Sequence, residues 1–201
     1  MNLNVSSYNE TVIYAAGELR KYLKMMFPDI HSKIGSFPGA ISVGTFAELG
    51  VCPKLENAED GYDVIYIETK GEAGFISGNT PRATLLAVYE YLRRQGCRWL
   101  FPGVDGEYIP TPDALTDVSC TLKAPYKIAG QCIEGSVSVE NVLSAIDFAP
   151  KVGLNSYMLE CFSPFGYMNA WYSHRDNEFK SDEHLSLDTA IQWKRLLESE
   201  I

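Results

Sequence analysis

Tyr167, Trp171, Tyr172, His174 and Arg175 crowd one stretch of the chain and combine aromatic faces with hydrogen-bond donors. Rings of this kind stack on the apolar faces of sugars, and a guanidinium grips a carboxylate through two parallel hydrogen bonds. The stretch therefore reads as a glycan-binding loop, with Trp171, His174 and Arg175 touching substrate. The plainer alternative is a loop whose aromatics pack over whatever lies beneath it. Glu134 and Glu160 each close a run of β-forming residues. Glycoside hydrolysis uses two carboxylates about 5 to 9.5 Å apart, and neighbouring strand ends could present such a pair. Contact with sugar hydroxyls, or a solvated carboxylate, is the expectation for both. His174, Asp176, Glu178 and His184 could be drawn around a metal ion. Their spacing is irregular, so no metal and no other cofactor is expected.

Other chemistry is excluded by position and charge. Gly71, Gly74 and Gly78 precede a strand, whereas a phosphate loop follows one and opens a helix, so these read as turn glycines around a hairpin. The five cysteines (Cys52, Cys97, Cys120, Cys132, Cys161) are odd in number, lack C-x-x-C spacing and sit beside apolar residues. Buried reduced thiols fit them better than disulfides or zinc ligands. The 201 residues carry a formal charge of −9, with ten basic against fifteen acidic side chains up to Cys120 and seven against eleven beyond. No basic face exists to release counterions from phosphates, so neither nucleic acid nor an anionic membrane is expected as a partner. No apolar run reaches the roughly 20 residues that span a bilayer.

Such residues need a frame, and the first 120 read as one α+β layer. Ser7 and Glu10 stand in the S-x-x-E relation of a capping box. Val12, Ala15, Ala16, Leu19, Leu23 and Met26 recur at helical spacing until Pro28 ends the helix. Ala40 to Gly44 predicts a short strand. Tyr62 to Glu68 and Gly74 to Gly78, turned at Lys70-Gly71, predict antiparallel neighbours. Asn79-Thr80-Pro81 starts a helix with proline in its first turn, and Gly96 stops it. Cys97 to Phe101 is extended, and a Pro102-Gly103 turn follows.

The run Gly78-Asn79-Thr80-Pro81-Arg82-Ala83-Thr84-Leu85-Leu86-Ala87-Val88-Tyr89-Glu90-Tyr91-Leu92 resembles a signature in which a strand ends in glycine and a helix begins with Pro-Arg. It continues with Gly96-Cys97-Arg98-Trp99-Leu100-Phe101-Pro102-Gly103 and Gly106-Glu107-Tyr108-Ile109-Pro110. With the early helix around Ala16 to Leu23, these residues are similar to the non-catalytic amino-terminal domain of alpha-glucuronidases, beta-hexosaminidases and uncharacterised bacterial glycosidase-like proteins. The resemblance covers about residues 8 to 112. Most of the signature is scaffold, and Arg82 reads as a structural arginine at a helix start.

After residue 120 the period changes. Ala114 to Leu122 is a linker or edge strand, and Lys127 to Glu134 reads as a strand. Val139, Leu143, Ile146 and Phe148-Ala149 mark a helix stopped by Gly153, and Asn155 to Cys161 forms a second strand. A loop over 162–185 and a helix from Ser186 or Leu187 towards Ile201 complete the pattern, which is the start of a parallel β/α repeat. The expected fold is thus an α+β amino-terminal domain over residues 1–120, a mixed sheet with helices on one face. An incomplete (β/α) TIM-barrel-like segment follows over residues 125–201. A whole barrel takes about 250 residues.

In the resembled families the catalytic carboxylates come from later barrel strands, and neither Glu134 nor Glu160 matches one. No catalytic residue is therefore expected in this chain. The substrate-binding candidates are Glu134, Glu160, Trp171, His174 and Arg175. Beta-hexosaminidases carry Arg-Gly where this chain has Ala129-Gly130, a departure that leaves a uronic acid or another glycoside as substrate. The resemblance implies the amino-terminal portion of a glycoside hydrolase, alpha-glucuronidase-like and inactive alone. The rival reading is a self-contained carbohydrate- or protein-binding module. The expected partners are carbohydrate in the full-length protein and a second copy of the chain, joined through the open edge of residues 155–161. Met1 to Ser7 lacks the features of a signal peptide, so the expected compartment is the cytoplasm unless an export signal has been trimmed.

Overall fold

A computed structural model describes residues 1–5, 7–54, 61–133 and 139–159. β1 (Asn2–Val5) leads into α1 (Glu10–Met26), whose apolar stripe is wholly inside: Val12, Ala15, Ala16, Leu19 and Leu23 are at 0% exposure. Asn9, rather than Ser7, caps this helix, its side chain accepting from the Thr11 and Val12 amides at 3.0 and 3.4 Å. Ser7 instead accepts the Asn9 amide and donates to Glu48. Two nearby polar residues compete for one cap, and the one adjoining Glu10 takes it.

β2 (Lys33–Gly35) and β3 (Ile41–Thr45) follow. Next comes the single-turn helix α2 (Phe46–Leu49), closed by a capping box between Thr45 and Glu48. β4 (Val64–Lys70) and β5 (Ala73–Gly78) form the expected antiparallel hairpin, pairing Ile67 with Ile76. α3 (Pro81–Arg94) begins as the sequence predicts, with Thr80 accepting the Ala83 amide at 3.0 Å and Pro81 in its first turn. Gly78 is obligatory for a steric reason. A Cβ there would meet the Ala83 carbonyl carbon and the Thr84 nitrogen, each at 2.3 Å, so the strand could not run this closely under the helix it feeds.

β6 (Arg98–Trp99) and β7 (Glu107–Tyr108) make a small antiparallel pair, joined through a 3-10 turn at Val104–Gly106. β8 (Val118–Lys123) then joins the main sheet. That sheet has six strands in the order β2-β1-β3-β5-β4-β8: parallel from β2 to β5, antiparallel from β5 through β4 to β8. α1 and α3 pack on each other and on the sheet, and the core between them is Leu3, Leu19, Tyr22, Leu23, Ile41, Val43, Ile67, Ile76, Tyr89 and Leu92, among others.

The last described elements are β9 (Gly130–Ile133), α4 (Val139–Lys151) and β10 (Ser156–Leu159). β9 and β10 are parallel, with Gly130 opposite Ser156 and Ile133 opposite Leu159. The architecture is therefore mixed α+β, with a mixed sheet and four α-helices among the described residues. The β9–α4–β10 unit is the expected strand–helix–strand repeat, and no closed barrel is present among the described residues. β1, β2 and α2 are additions to what the sequence predicts. No described helix is long and apolar enough to cross a membrane.

Candidate functional site

Glu134, Glu160, Trp171, His174 and Arg175 all lie outside the described residues, as do Tyr167, Tyr172, Asp176, Glu178 and His184. What is described is the pair of strands that Glu134 and Glu160 follow in sequence. Their register ends at Ile133 opposite Leu159, and it begins where Gly130 allows the backbones to close. A Cβ at position 130 would stand 2.5 Å from the Ser156 carbonyl oxygen, so glycine is required there by contact. Ala129 exchanges hydrogen bonds with Asn155 at 2.8 and 2.9 Å.

Two polar clusters among the described residues tie this unit to the rest of the molecule, one through β7 and α1 and the other through Asp63 beside β4. In the first, Lys151, in the last turn of α4, is 4% exposed and bonds Glu107 at 2.9 Å and Asp147 at 2.6 Å. Tyr22 donates to the same Glu107 oxygen at 2.6 Å, and the Trp99 indole N–H donates to the Tyr22 hydroxyl at 3.2 Å. Tyr89 completes the layer by donating to Glu18 at 2.9 Å. The rings of Tyr22, Tyr89 and Trp99 meet edge to face with centroids 5.2 to 6.4 Å apart, the arrangement that aromatic quadrupoles favour.

The electrostatics of this cluster are settled by its hydrogen bonds. Burial alone would raise the Glu107 carboxyl, but the bonds from Tyr22 and Lys151 outweigh it and hold Glu107 below the ordinary carboxylate value. Burial would likewise lower the Lys151 ammonium. Its bonds to Asp147 and Glu107 prevail and hold it above the ordinary lysine value. Burial, then the bond to Glu107, pushes the Tyr22 phenol up, and burial with the nearby Glu18 does the same to Tyr89. Both phenols therefore stay protonated donors. This is a charge cluster with every member engaged, built to hold α4 rather than to move protons.

The second cluster bears out the structural reading of Arg82. Its Nε lies 3.2 and 3.1 Å from the two Asp63 oxygens and its Nη2 lies 2.9 Å from Oδ1, a bidentate grip on a carboxylate only 2% exposed. Nearby, the Lys123 and Lys127 ammoniums lie 4.2 and 5.3 Å from the Tyr62 ring centroid. Sequence reasoning singles out none of Asp63, Glu107 or Lys151. Lys151 carries one weak signal, a base in the last turn of a helix, which the helix dipole alone would explain.

The thiols divide. Cys97 is buried against Met26, with sulfurs 3.8 Å apart, and burial raises its pKa to about 11, so it has little thiolate at neutral pH. Cys120 is half-buried, whereas Cys52 and Cys132 are exposed, against the expectation that all would be covered. Apolar sequence neighbours mark an apolar stretch, but on a strand or loop alternate residues still face outward. Cys161 lies outside the described residues. No group of three or more metal-ligating side chains occurs among the described residues.

No protein-family model matches this sequence, and no curated protein is similar to it at the level required. Solved structures are similar. A GH138 enzyme targeting pectin rhamnogalacturonan II aligns with 99% of this chain at a TM-score of 0.54 and 11% identity. CpGH84D aligns with 99% of the chain at a TM-score of 0.48 and 12% identity. The chain spans 22% of the first of these proteins and 39% of the second. At such identity the likeness to the GH138 enzyme is one of fold: the chain has a distantly glycosidase-like fold.

Proposed function

We propose that this chain is the amino-terminal portion of a carbohydrate-active enzyme. In this reading residues 1–120 are an α+β accessory domain, and residues 125–201 are the first two β/α units of a catalytic barrel. The observation that carries it is the parallel β9–α4–β10 unit directly after the six-stranded mixed sheet, a succession contained within 99% alignment to a GH138 enzyme. A parallel pair with one crossover helix is an element of a larger sheet, since parallel strands are ordinarily covered on both faces. The substrate class is a glycoside of an acidic sugar, as in alpha-glucuronidases. The pectic target of the GH138 enzyme favours it, and Ala129 in place of a sugar-holding arginine leaves it open. Glu134, Glu160, Trp171, His174 and Arg175 would contact the sugar. Two copies would associate through β10, where Met158 is 55% exposed.

The test is to assay the 201-residue chain beside the longest product of its reading frame, on aryl uronides and pectic fragments. The short chain should be inert and the longer product active. Turnover by the short chain that disappears in Glu134→Gln or Glu160→Gln would overturn the proposal. Light scattering over a tenfold dilution tests the association, which a strictly monomeric chain would refute.

A further inference from the structure

Polar contacts join the β9–α4–β10 unit to the rest of the molecule on either side of the turn between α4 and β10. Glu107 holds Lys151, at the carboxyl end of the helix. The other contact is made through Asp63 and Asn155, 92 positions apart in sequence. Asn155, the residue before β10, donates its Nδ2 to Asp63 Oδ2 at 2.6 Å and to the Lys127 carbonyl at 2.9 Å. Its Oδ1 accepts the Ala129 amide at 2.9 Å, and its own amide donates to the Ala129 carbonyl at 2.8 Å. One side chain thus ties the start of β10 to the segment entering β9 and ties both to the sheet.

Asp63 also extends the β4–β8 ladder through its backbone. Its carbonyl accepts the Ala124 amide at 2.8 Å, just where the chain leaves β8. The side chain cannot drift, because Arg82 fixes both of its oxygens. The contact at Asn155 adds a directional bond to the one at Lys151 and to the packing of Phe148 and Val152 on the core.

We propose that Asp63 and Asn155 form a latch that makes the six-stranded sheet and the β9–α4–β10 unit open as one cooperative body instead of swinging about the Ala124-Pro125 connection. The latch is independent of any glycan, so it stands or falls separately from the function proposed above. Its physical basis is that Asn155 is satisfied at both ends of its amide. Truncating it removes a donor from a buried carboxylate and a bridge between two strands at once.

Native-state hydrogen exchange on the full chain tests this. In the parent protein the protected amides of β9 and β10 should exchange within about tenfold of those in β3 and β5, the mark of a shared opening. Asn155→Ala should speed β9 and β10 by more than about tenfold while leaving β3 and β5 within about twofold. Parent strands β9 and β10 exchanging more than about tenfold faster than β3 and β5 would overturn the latch. That measurement needs no variant and decides the matter even where Asn155→Ala does not fold.

Discussion

The six-stranded sheet with its two helices and the β9–α4–β10 unit are built on different principles. The sheet holds itself together by apolar burial: Leu3, Leu19, Ile41, Ile67, Ile76 and Leu92 are all at 0% exposure, in one continuous core. The smaller unit contributes fewer buried apolar side chains, Val142, Ala145 and Ala149 among those described. Phe148 and Val152 rest on that core, and the polar side chains Lys151 and Asn155 fasten the unit in place. Burial is non-directional and tolerates sliding, whereas a charge pair or an amide with both ends engaged fixes position. The difference teaches that the sheet supplies stability and the two polar clusters supply orientation.

The largest effect that would sharpen this contrast comes from the apolar side. Leu19→Ala should cost about 3 kcal/mol, within the range for a buried leucine, and should lower the urea midpoint of both units together. A midpoint that falls for the β9–β10 signals alone would break the comparison. Next in size is Lys151→Met. Removing one member of a buried pair leaves Glu107 with the Tyr22 hydroxyl but no cation, at a cost of about 3 kcal/mol, the low end for such pairs. Here the loss should appear first as faster exchange in α4, with β3 and β5 nearly unchanged. Equal loss in both regions would show Lys151 to be part of the core rather than a fastening.

The same pair predicts a pH profile. Glu107 titrates lower in the folded chain than unfolded, so its contribution is present above the ordinary carboxylate value of about 4.3 and disappears as pH falls through its folded value. Lys151 titrates higher when folded, so its contribution is whole below about 10.4 and disappears as pH rises through its folded value. Between about pH 5 and 10 the pair should contribute a constant amount, read as a flat difference in melting temperature between parent and Glu107→Gln. A difference that changes through about pH 6 to 8 would contradict these assignments.

What the sequence discloses follows the range over which each feature is decided. α1, the β4–β5 hairpin and α3 are legible because their signals are local: a helical stripe, a Lys70-Gly71 turn, a Thr80-Pro81 start and a Gly96 stop. β1 and β2 escape such reading because short parallel strands are defined by partners far along the chain, Leu3 by Ile41 and Asn2 by Lys33. α2 escapes it although Thr45 and Glu48 carry the same capping-box spacing as Ser7 and Glu10. Nothing local marks Asp63 and Asn155 as partners, since neither has a motif and their meeting is a product of the whole topology. Arg82 lies between these cases: its helix-start position points to a structural role but not to the acid it grips. The glycan-binding candidates are legible as chemistry, in the mix of Trp171, His174 and Arg175, while their geometry belongs to residues outside those described.

The smallest effect concerns a cap inside the larger body, and it separates the two polar residues that could start α1. Asn9 accepts two amides of the first turn, whereas Ser7 accepts the Asn9 amide and donates to Glu48, both at an exposed position. Loss of a cap at the N-terminus of a helix costs about 1 kcal/mol. Exposed hydrogen bonds of the Ser7 kind contribute less, because water replaces them. Asn9→Ala should therefore lower stability by about 1 kcal/mol and Ser7→Ala by no more than about half of that. The comparison adds a further constraint. A frayed first turn of α1 lies far along the helix from Tyr22, which reaches Glu107, so α4 exchange should be untouched by Asn9→Ala beyond any global loss. Should Ser7→Ala prove the costlier change, the S-x-x-E reading of the sequence would be right after all, and Asn9 would be a bystander at the cap.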